Sequence, residues 1–169
     1  HTFDGTPKPV TTATSPAGLT VDITYAGSPT APSAAGTYEV VATINEPVYQ
    51  GSDTQTLVIE KADQTITFAA LPDRLTTETP TLVATSGSGL PVTFDVTSGP
   101  ATLTGDELNF SASGTVTITA SQTGNANYNQ APDVVRSFNV SKTPATVSLS
   151  DLLQSYDLLP KPVSITTTP

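Results

Sequence analysis

The sequence predicts an all-β chain, on three observations. Thr makes up about a fifth of the residues, with Ser and Val behind it; branching at Cβ stiffens Thr and Val and suits them to a pleated surface. The 15 Pro and 11 Gly recur at short intervals and leave no room for long helices. Apolar residues alternate with polar ones, as where Leu19, Val21, Ile23 and Tyr25 are separated by Thr20, Asp22 and Thr24, the period of a half-buried strand.

That alternation places strands at 10–14, 19–25, 37–44 and 55–61 in the first part of the chain. A second set is expected at 65–68, 81–84, 92–96, 107–110, 115–121 and 135–141. Between them lie Ser-Pro-Ala-Gly at 15–18, Gly-Ser-Pro-Thr-Ala-Pro at 27–32, Ser-Gly-Ser-Gly at 86–89 and Ser-Gly-Pro-Ala at 98–101. Each is turn material, because Gly reaches positive φ and Pro presets φ near −65°. Several short strands with turns every 8–12 residues point to tandem immunoglobulin-like β-sandwiches.

Two internal repeats set the expected domain organisation. Phe3-Asp4-Gly5-Thr6-Pro7-Lys8-Pro9-Val10 returns 153 residues later as Tyr156-Asp157-Leu158-Leu159-Pro160-Lys161-Pro162-Val163, and Pro16 returns as Pro169. The chain therefore reads as one period of a longer tandem array plus the opening of the next. Within the period, Gly36-Thr37-Tyr38-Glu39-Val40-Val41-Ala42 is matched by Gly114-Thr115-Val116-Thr117-Ile118-Thr119-Ala120. Downstream, Tyr49 corresponds to Tyr128 and Lys61 to Lys142. The expected modules are 1–62 and 63–143, with 144–169 as the start of a third repeat or a donor strand. The stretch 145–150 precedes the second Tyr-Asp; its counterpart before Phe3 would make the first module one strand short here. A sandwich lacking an edge strand exposes unpaired backbone, so Val147, Leu149 and Leu152 are candidates for a strand donated to another copy.

Three strings carry a family resemblance: Thr-Phe-Asp-Gly-Thr-Pro-Lys-Pro-Val at 2–10, Ala-Gly-Thr-Tyr-Glu-Val-Val-Ala-Thr-Ile at 35–44 and Tyr-Gln-Gly-Ser at 49–52. They resemble the YDG/MBG-type repeats of bacterial surface and secreted proteins. Gln64-Thr65-Ile66-Thr67-Phe68, Gly89-Leu90-Pro91-Val92-Thr93-Phe94 and Gly124-Asn125-Ala126-Asn127-Tyr128 are similar to a companion module that alternates with them. Two departures stand out: Leu75-Thr76-Thr77 where the companion module has Tyr-Gly, and Leu158-Leu159 in place of Gly-Thr. The resemblance implies Ig-like spacers in long adhesin-like proteins and brings no catalytic residues.

Composition narrows the chemistry. There is no Cys, and the single His is residue 1, which excludes disulfides, thiolate sites and an internal imidazole base. A net charge of −9 is the wrong sign for nucleic acid or an anionic membrane surface. No apolar run approaches the ~20 residues of a membrane-spanning helix. No leader sequence opens the chain, which reads as a mature or internal segment. Extracellular or cell-surface placement is expected.

Several residues are nonetheless candidates. Asp106-Glu107 is the one adjacent carboxylate pair, but neighbours on a strand face opposite ways, so the pair reads as a turn. No Gly-x-Ser-x-Gly elbow marks a nucleophile. Calcium is the one cofactor to consider: Glu60, Asp63 and Asp73 lie around the first junction, with Asn125, Asn127 and Asn129 nearby in the reading. The EF-hand spacing that calcium favours is missing, and solvated acidic loops are the alternative. Lys8, Lys61, Lys142 and Lys161 occupy exposed contexts unsuited to an isopeptide crosslink. Tyr49 and Tyr128 are candidates for stacking on a sugar, or for packing on their own sandwich edge. Asn109 and Asn139 fit the glycosylation pattern but fall in predicted strands. The expected role is a non-enzymatic stalk or spacer, its partners being neighbouring repeats. The alternatives are a filament subunit joined by strand donation and a carbohydrate-binding accessory module.

Overall fold

In the computed structural model, which describes residues 1–150, 152–155 and 158–168, every regular element among the described residues is a β-strand. The all-β class read from the sequence is the observed one. The Tyr156-Asp157 pair and Pro169 of the long repeat lie outside the described residues.

The first sheet is antiparallel, in the order β1 (Val21–Tyr25), β2 (Gly36–Ile44), β3 (Ser52–Ile59). Its register pairs Tyr25 with Val40 and Tyr38 with Leu57. Next, β4 (Ile66–Phe68) pairs antiparallel with β6 (Ala84–Ser86). A four-stranded sheet has the order β5 (Arg74–Leu75), β11 (Val134–Ser141), β10 (Gly114–Ser121), β7 (Thr93–Ser98), with β5 parallel to β11. β8 (Ala101–Thr104) and β9 (Glu107–Phe110) form a hairpin, and β12 (Thr146–Ser150) pairs antiparallel with β13 (Ser164–Thr168).

Three strand expectations shift. Residues 10–14 run without a ladder partner, although Val10 packs against the core and its amide donates to the Tyr25 hydroxyl, 2.9 Å away. The strand expected at 81–84 forms at Ala84–Ser86 instead, and Thr81 makes only an isolated bridge to Glu107. The turn at Gly99-Pro100 is followed at once by β8, which the turn signals obscured. Asp106 occupies the two-residue loop of the β8–β9 hairpin behind Gly105, at φ 61°. Gly at the first central position suits such a loop, and the Asp106-Glu107 pair is a turn.

The chain divides into two compact units. Unit 1 holds residues 1–68, 84–93 and 120–134. Its core cluster is Tyr25, Val40, Leu57 and Ile59, with Phe3, Val10, Ile23, Ala31, Ala35 and Tyr38 packed against it. Alternation delivers these side chains to one face of the first sheet, and the segments carrying Phe3, Val10 and Ala31 cover it. Burying a residue such as Ile59, 2% exposed, contributes about 1.5–3 kcal/mol. Unit 2 holds 69–83, 94–119 and 135–169. There Val116 and Ile118 on β10 and Phe138 and Val140 on β11 are buried at alternate positions, as are Leu82 and Leu108. Phe110 and Phe138 meet edge to face at 5.9 Å.

The shorter repeat has a backbone counterpart. Gly36 and Gly114, matched in sequence, each open a long strand and share a conformation, φ 158° and 156°.

Candidate functional site

Within unit 1 the connecting stretch Lys61–Gln64 is the point where the most dispersed parts of the sequence meet. Glu60 bridges in parallel fashion to Thr2: its amide donates to the His1 carbonyl at 2.8 Å, and its carbonyl accepts from Phe3 N at 2.9 Å. Two residues on, Ala62 bridges to Tyr128 in the same way, donating to Asn127 O and accepting from Asn129 N, both at 2.9 Å. A strand end that would otherwise carry unpaired backbone groups is thus capped on both flanks.

Side chains extend this pairing. Lys61 Nζ donates to Asn125 O at 2.8 Å, and Asn129 Nδ2 to Asp63 Oδ1 at 2.8 Å. Ala35 N donates to Asn127 Oδ1 at 2.9 Å. Phe3 meets Tyr128 edge to face, centroids 5.3 Å apart. Beneath lies a buried amide network: Gln64 Nε2 donates to Gln122 Oε1 and to Asn129 O, and the Ser88 hydroxyl donates to Gln64 Oε1. Gln122 Oε1 also accepts from Gly124 N at 2.7 Å. Gln64 and Gln122 are 6% and 5% exposed, and burial without partners would cost each several hydrogen bonds' worth of desolvation.

The loop presenting these groups is shaped locally. Asn125 Oδ1 accepts from Asn127 N at 2.8 Å and Tyr128 N at 3.0 Å, the self-bonded turn for which Asn is favoured. Gly124 starts it at φ 77°, and a Cβ there would sit 2.4 Å from Tyr128 O. Only glycine fits.

Of the carboxylates considered for calcium, Asp63 is engaged by Asn129, and Asp73, in unit 2, accepts from Asn139 N at 2.8 Å. Glu60 contributes its backbone. Among the described residues no three His, Cys, Asp or Glu gather where they could hold a metal ion. Tyr49 is 46% exposed on its loop, whereas its sequence counterpart Tyr128 is half-buried against Phe3. Val147, Leu149 and Leu152 are 67%, 56% and 64% exposed, and the first two lie on β12, paired with β13.

Two carboxyls are held below the usual range. Asp4 is lowered chiefly by its hydrogen bond from Lys8 Nζ, at 2.5 Å, and then by Thr6. Glu46 is lowered by the amide of Thr20 at 2.8 Å. Both hydrogen bonds stabilise the ionised form. Asp4 and Lys8 belong to the repeated motif at the head of the chain, so its conserved spacing within this sequence builds a local clasp.

Phe3, Ala35, Gln64, Ser88 and Gln122 were not among the expected site residues. The signal for the two glutamines is their register: Gln64 continues the inward series of Ile66 and Phe68, and Gln122 that of Val116, Ile118 and Ala120. A polar residue at an inward position needs a polar partner. The groups assembled at this junction are amides, a hydroxyl, one ammonium and one carboxylate, and their hydrogen bonds run to one another and to backbone. Such an arrangement fixes geometry.

No curated protein matches the chain. Solved structures similar to the chain include two of human protocadherin-24 EC1-2. The first shows 14% identity over 64% of this chain and 67% of that one, with a TM-score of 0.36. The second, form II, shows 17% identity over the same shares, with a TM-score of 0.33. The family model of the MBG domain matches residues 1–63 and 145–169, stretches that contain the two copies of the motif repeated after 153 residues. With just over half of its length matched, this chain belongs to the MBG domain family.

Proposed function

We propose that this chain is a non-catalytic spacer in a bacterial extracellular, adhesin-like repeat protein, holding a distal part of that protein away from its point of attachment. The observation that carries the reading is the junction at Lys61–Gln64. In a flexible linker those residues would be solvated and free; here backbone bridges, the Lys61 and Asp63 side chains and the Gln64 network all restrain them. Membership of a repeat family and the recurrence of one motif after 153 residues support a tandem array. Restrained junctions repeated along such an array give a length that grows in proportion to the number of periods. A net charge of −9 keeps neighbouring arrays apart in solution.

Small-angle scattering on chains of one, two and three concatenated periods tests this. The maximum dimension is expected to rise linearly with period number. Growth as roughly the square root, the behaviour of flexibly joined beads, defeats the spacer reading.

A further inference from the structure

We propose that the chain bears tension, and that a parallel clasp between residues 73–77 and 139–143 is the element that resists a lengthwise pull. This role rests on the spacer reading, since a spacer fixed at one end and engaged at the other is pulled along its own chain. Both halves of the clasp are internal to the sequence, which continues from each of them in both directions.

The clasp is a run of partners in register. Asn139 N donates to Asp73 Oδ1 at 2.8 Å. Arg74 stands opposite Val140 and Leu75 opposite Ser141, the parallel pairing of β5 with β11. Thr76 N then donates to Ser141 O at 2.9 Å, and the Thr77 and Thr143 hydroxyls lie 3.0 Å apart. Glu78 closes the turn that follows: its Oε2 accepts from Leu75 N at 2.6 Å, and its amide donates to Leu75 O at 3.0 Å. Asp73 and the Leu75-Thr76-Thr77 string thereby share one use.

Strand direction decides what this pairing does under load. A pull along the chain reaches β5 at its N-terminal end and β11 at its C-terminal end. In a parallel pair those are opposite ends, so the strands are driven to slide past each other and every bond between them is strained at once. Had the pair been antiparallel, the same pull would act on adjacent ends and open the bonds singly. Parallel ladders are slightly less stable per residue than antiparallel ones, so stability at rest does not account for the arrangement. The β11 side is firmly held: β11 lies between β5 and β10 in the sheet, with Phe138 and Val140 buried. The edge strand β5 is therefore the part that slips.

The same device recurs in unit 1. Lys61 matches Lys142 in sequence, which aligns Glu60 with Ser141. Glu60 bridges Thr2 in parallel, and its carbonyl accepts from Phe3 N at 2.9 Å, as the Ser141 carbonyl accepts from Thr76 N at 2.9 Å. The partners differ, His1-Thr2-Phe3 in one unit and Arg74-Leu75-Thr76 in the other. Direction and bonding are the same in both, so the backbone carries the device and the side chains only reinforce it.

Single-molecule pulling at constant force tests the clasp on the full chain. The sequence has no Cys, so introduced thiols are unique attachment points. Handles at Ala70→Cys and Ala145→Cys load the pair lengthwise, whereas handles at Thr79→Cys and Ala145→Cys peel it from its C-terminal end; all three positions are exposed. At one force the lengthwise geometry is expected to survive several times longer than the peeling one. Asp73→Ala removes the acceptor for Asn139 N and is expected to shorten the lengthwise lifetime about fivefold, the loss of one net hydrogen bond. It should leave the peeling lifetime unchanged, because Asp73 lies at the far end of the pair. Asp73→Asn keeps an acceptor oxygen and is expected to restore the lengthwise lifetime. The proposal is overturned by equal lifetimes in the two directions, by an Asp73→Ala chain that lasts as long as its parent, or by an Asp73→Asn chain no better than Asp73→Ala. The comparison of directions needs no substitution in the clasp itself, so it stands even if Asp73→Ala fails to fold. The spacer reading falls on scattering and the clasp on direction, so each idea fails separately.

Discussion

The rings of Phe3 and Tyr128 meet edge to face, with centroids 5.3 Å apart and planes at 82°. Phe3 belongs to the opening motif of the chain, whereas Tyr128 ends the Asn-rich loop; both lie in unit 1. Phe3 sits one step beyond the bridge of Thr2 with Glu60, and Tyr128 is itself bridged to Ala62. The aromatic contact therefore closes a circuit that starts and ends on the residues flanking Lys61.

This pair is expected to be energetically coupled. Edge-to-face aromatic pairs contribute about 0.5–1.5 kcal/mol beyond their area burial. A double-mutant cycle with Phe3→Leu and Tyr128→Leu, read by urea denaturation, should return a coupling of that size. A coupling indistinguishable from zero would show that the rings are merely adjacent.

The amide network predicts a different, non-additive pattern. Gln64→Leu orphans Gln122 Oε1 in part and leaves the Ser88 hydroxyl and Asn129 O without their partner. Gln122→Leu strips an acceptor from both Gln64 and Gly124 N. Each is expected to destabilise by about 1–3 kcal/mol, the cost of stranding a buried polar group. The double variant should cost clearly less than the two singles together, because Gln64 Nε2 and Gln122 Oε1, each stranded by one substitution, are both absent from it. Strict additivity in thermal or urea unfolding would contradict a shared network.

The residues themselves explain what was legible beforehand. Strand class and most strand positions followed from side-chain alternation, which is a local property; β1 and β9 to β11 fell where Tyr25, Leu108, Val116 and Phe138 demanded. The fate of residues 10–14 was not local. Their alternation is that of a strand, but a ladder needs a partner, and pairing is decided elsewhere in the chain. The junction is half visible: Glu60, Asp63 and the Asn-rich loop stand out as neighbours, as calcium candidates, and Lys61 only as an exposed lysine at a strand end. Their amide and ammonium groups instead satisfy backbone carbonyls and one carboxylate. Which of these uses a polar cluster serves depends on directions that spacing alone does not carry.

A pH dependence follows from Asp4. Its carboxyl is held below the ordinary value by the hydrogen bond from Lys8 and then by Thr6. A lowered folded pKa means the unfolded chain binds more protons as pH falls, so the contribution is complete above the ordinary carboxylate pKa of about 3.9 and is lost as pH drops below it. The difference in urea midpoint between the parent and Asp4→Asn should be greatest near neutrality and shrink below about pH 4. Since Asp4 is exposed, added salt should shrink it too. A difference that grows in acid would reverse the assignment.

Asn127 separates side-chain from backbone restraint at the junction. Its Oδ1 accepts from Ala35 N, and its main-chain carbonyl accepts from Ala62 N, both at 2.9 Å. Asn127→Ala deletes the first bond and keeps the second. Amide exchange follows local opening, and a net hydrogen bond of about 1 kcal/mol corresponds to roughly a fivefold change in an equilibrium constant. In Asn127→Ala the Ala35 amide should exchange about five times faster, while the Ala62 amide keeps its protection. If both accelerate together, the loop opens as one piece and Asn127 Oδ1 has no separate hold on Ala35. If neither changes, the Ala35 amide is protected by packing around the core cluster alone, and the side chain contributes nothing to fixing the loop.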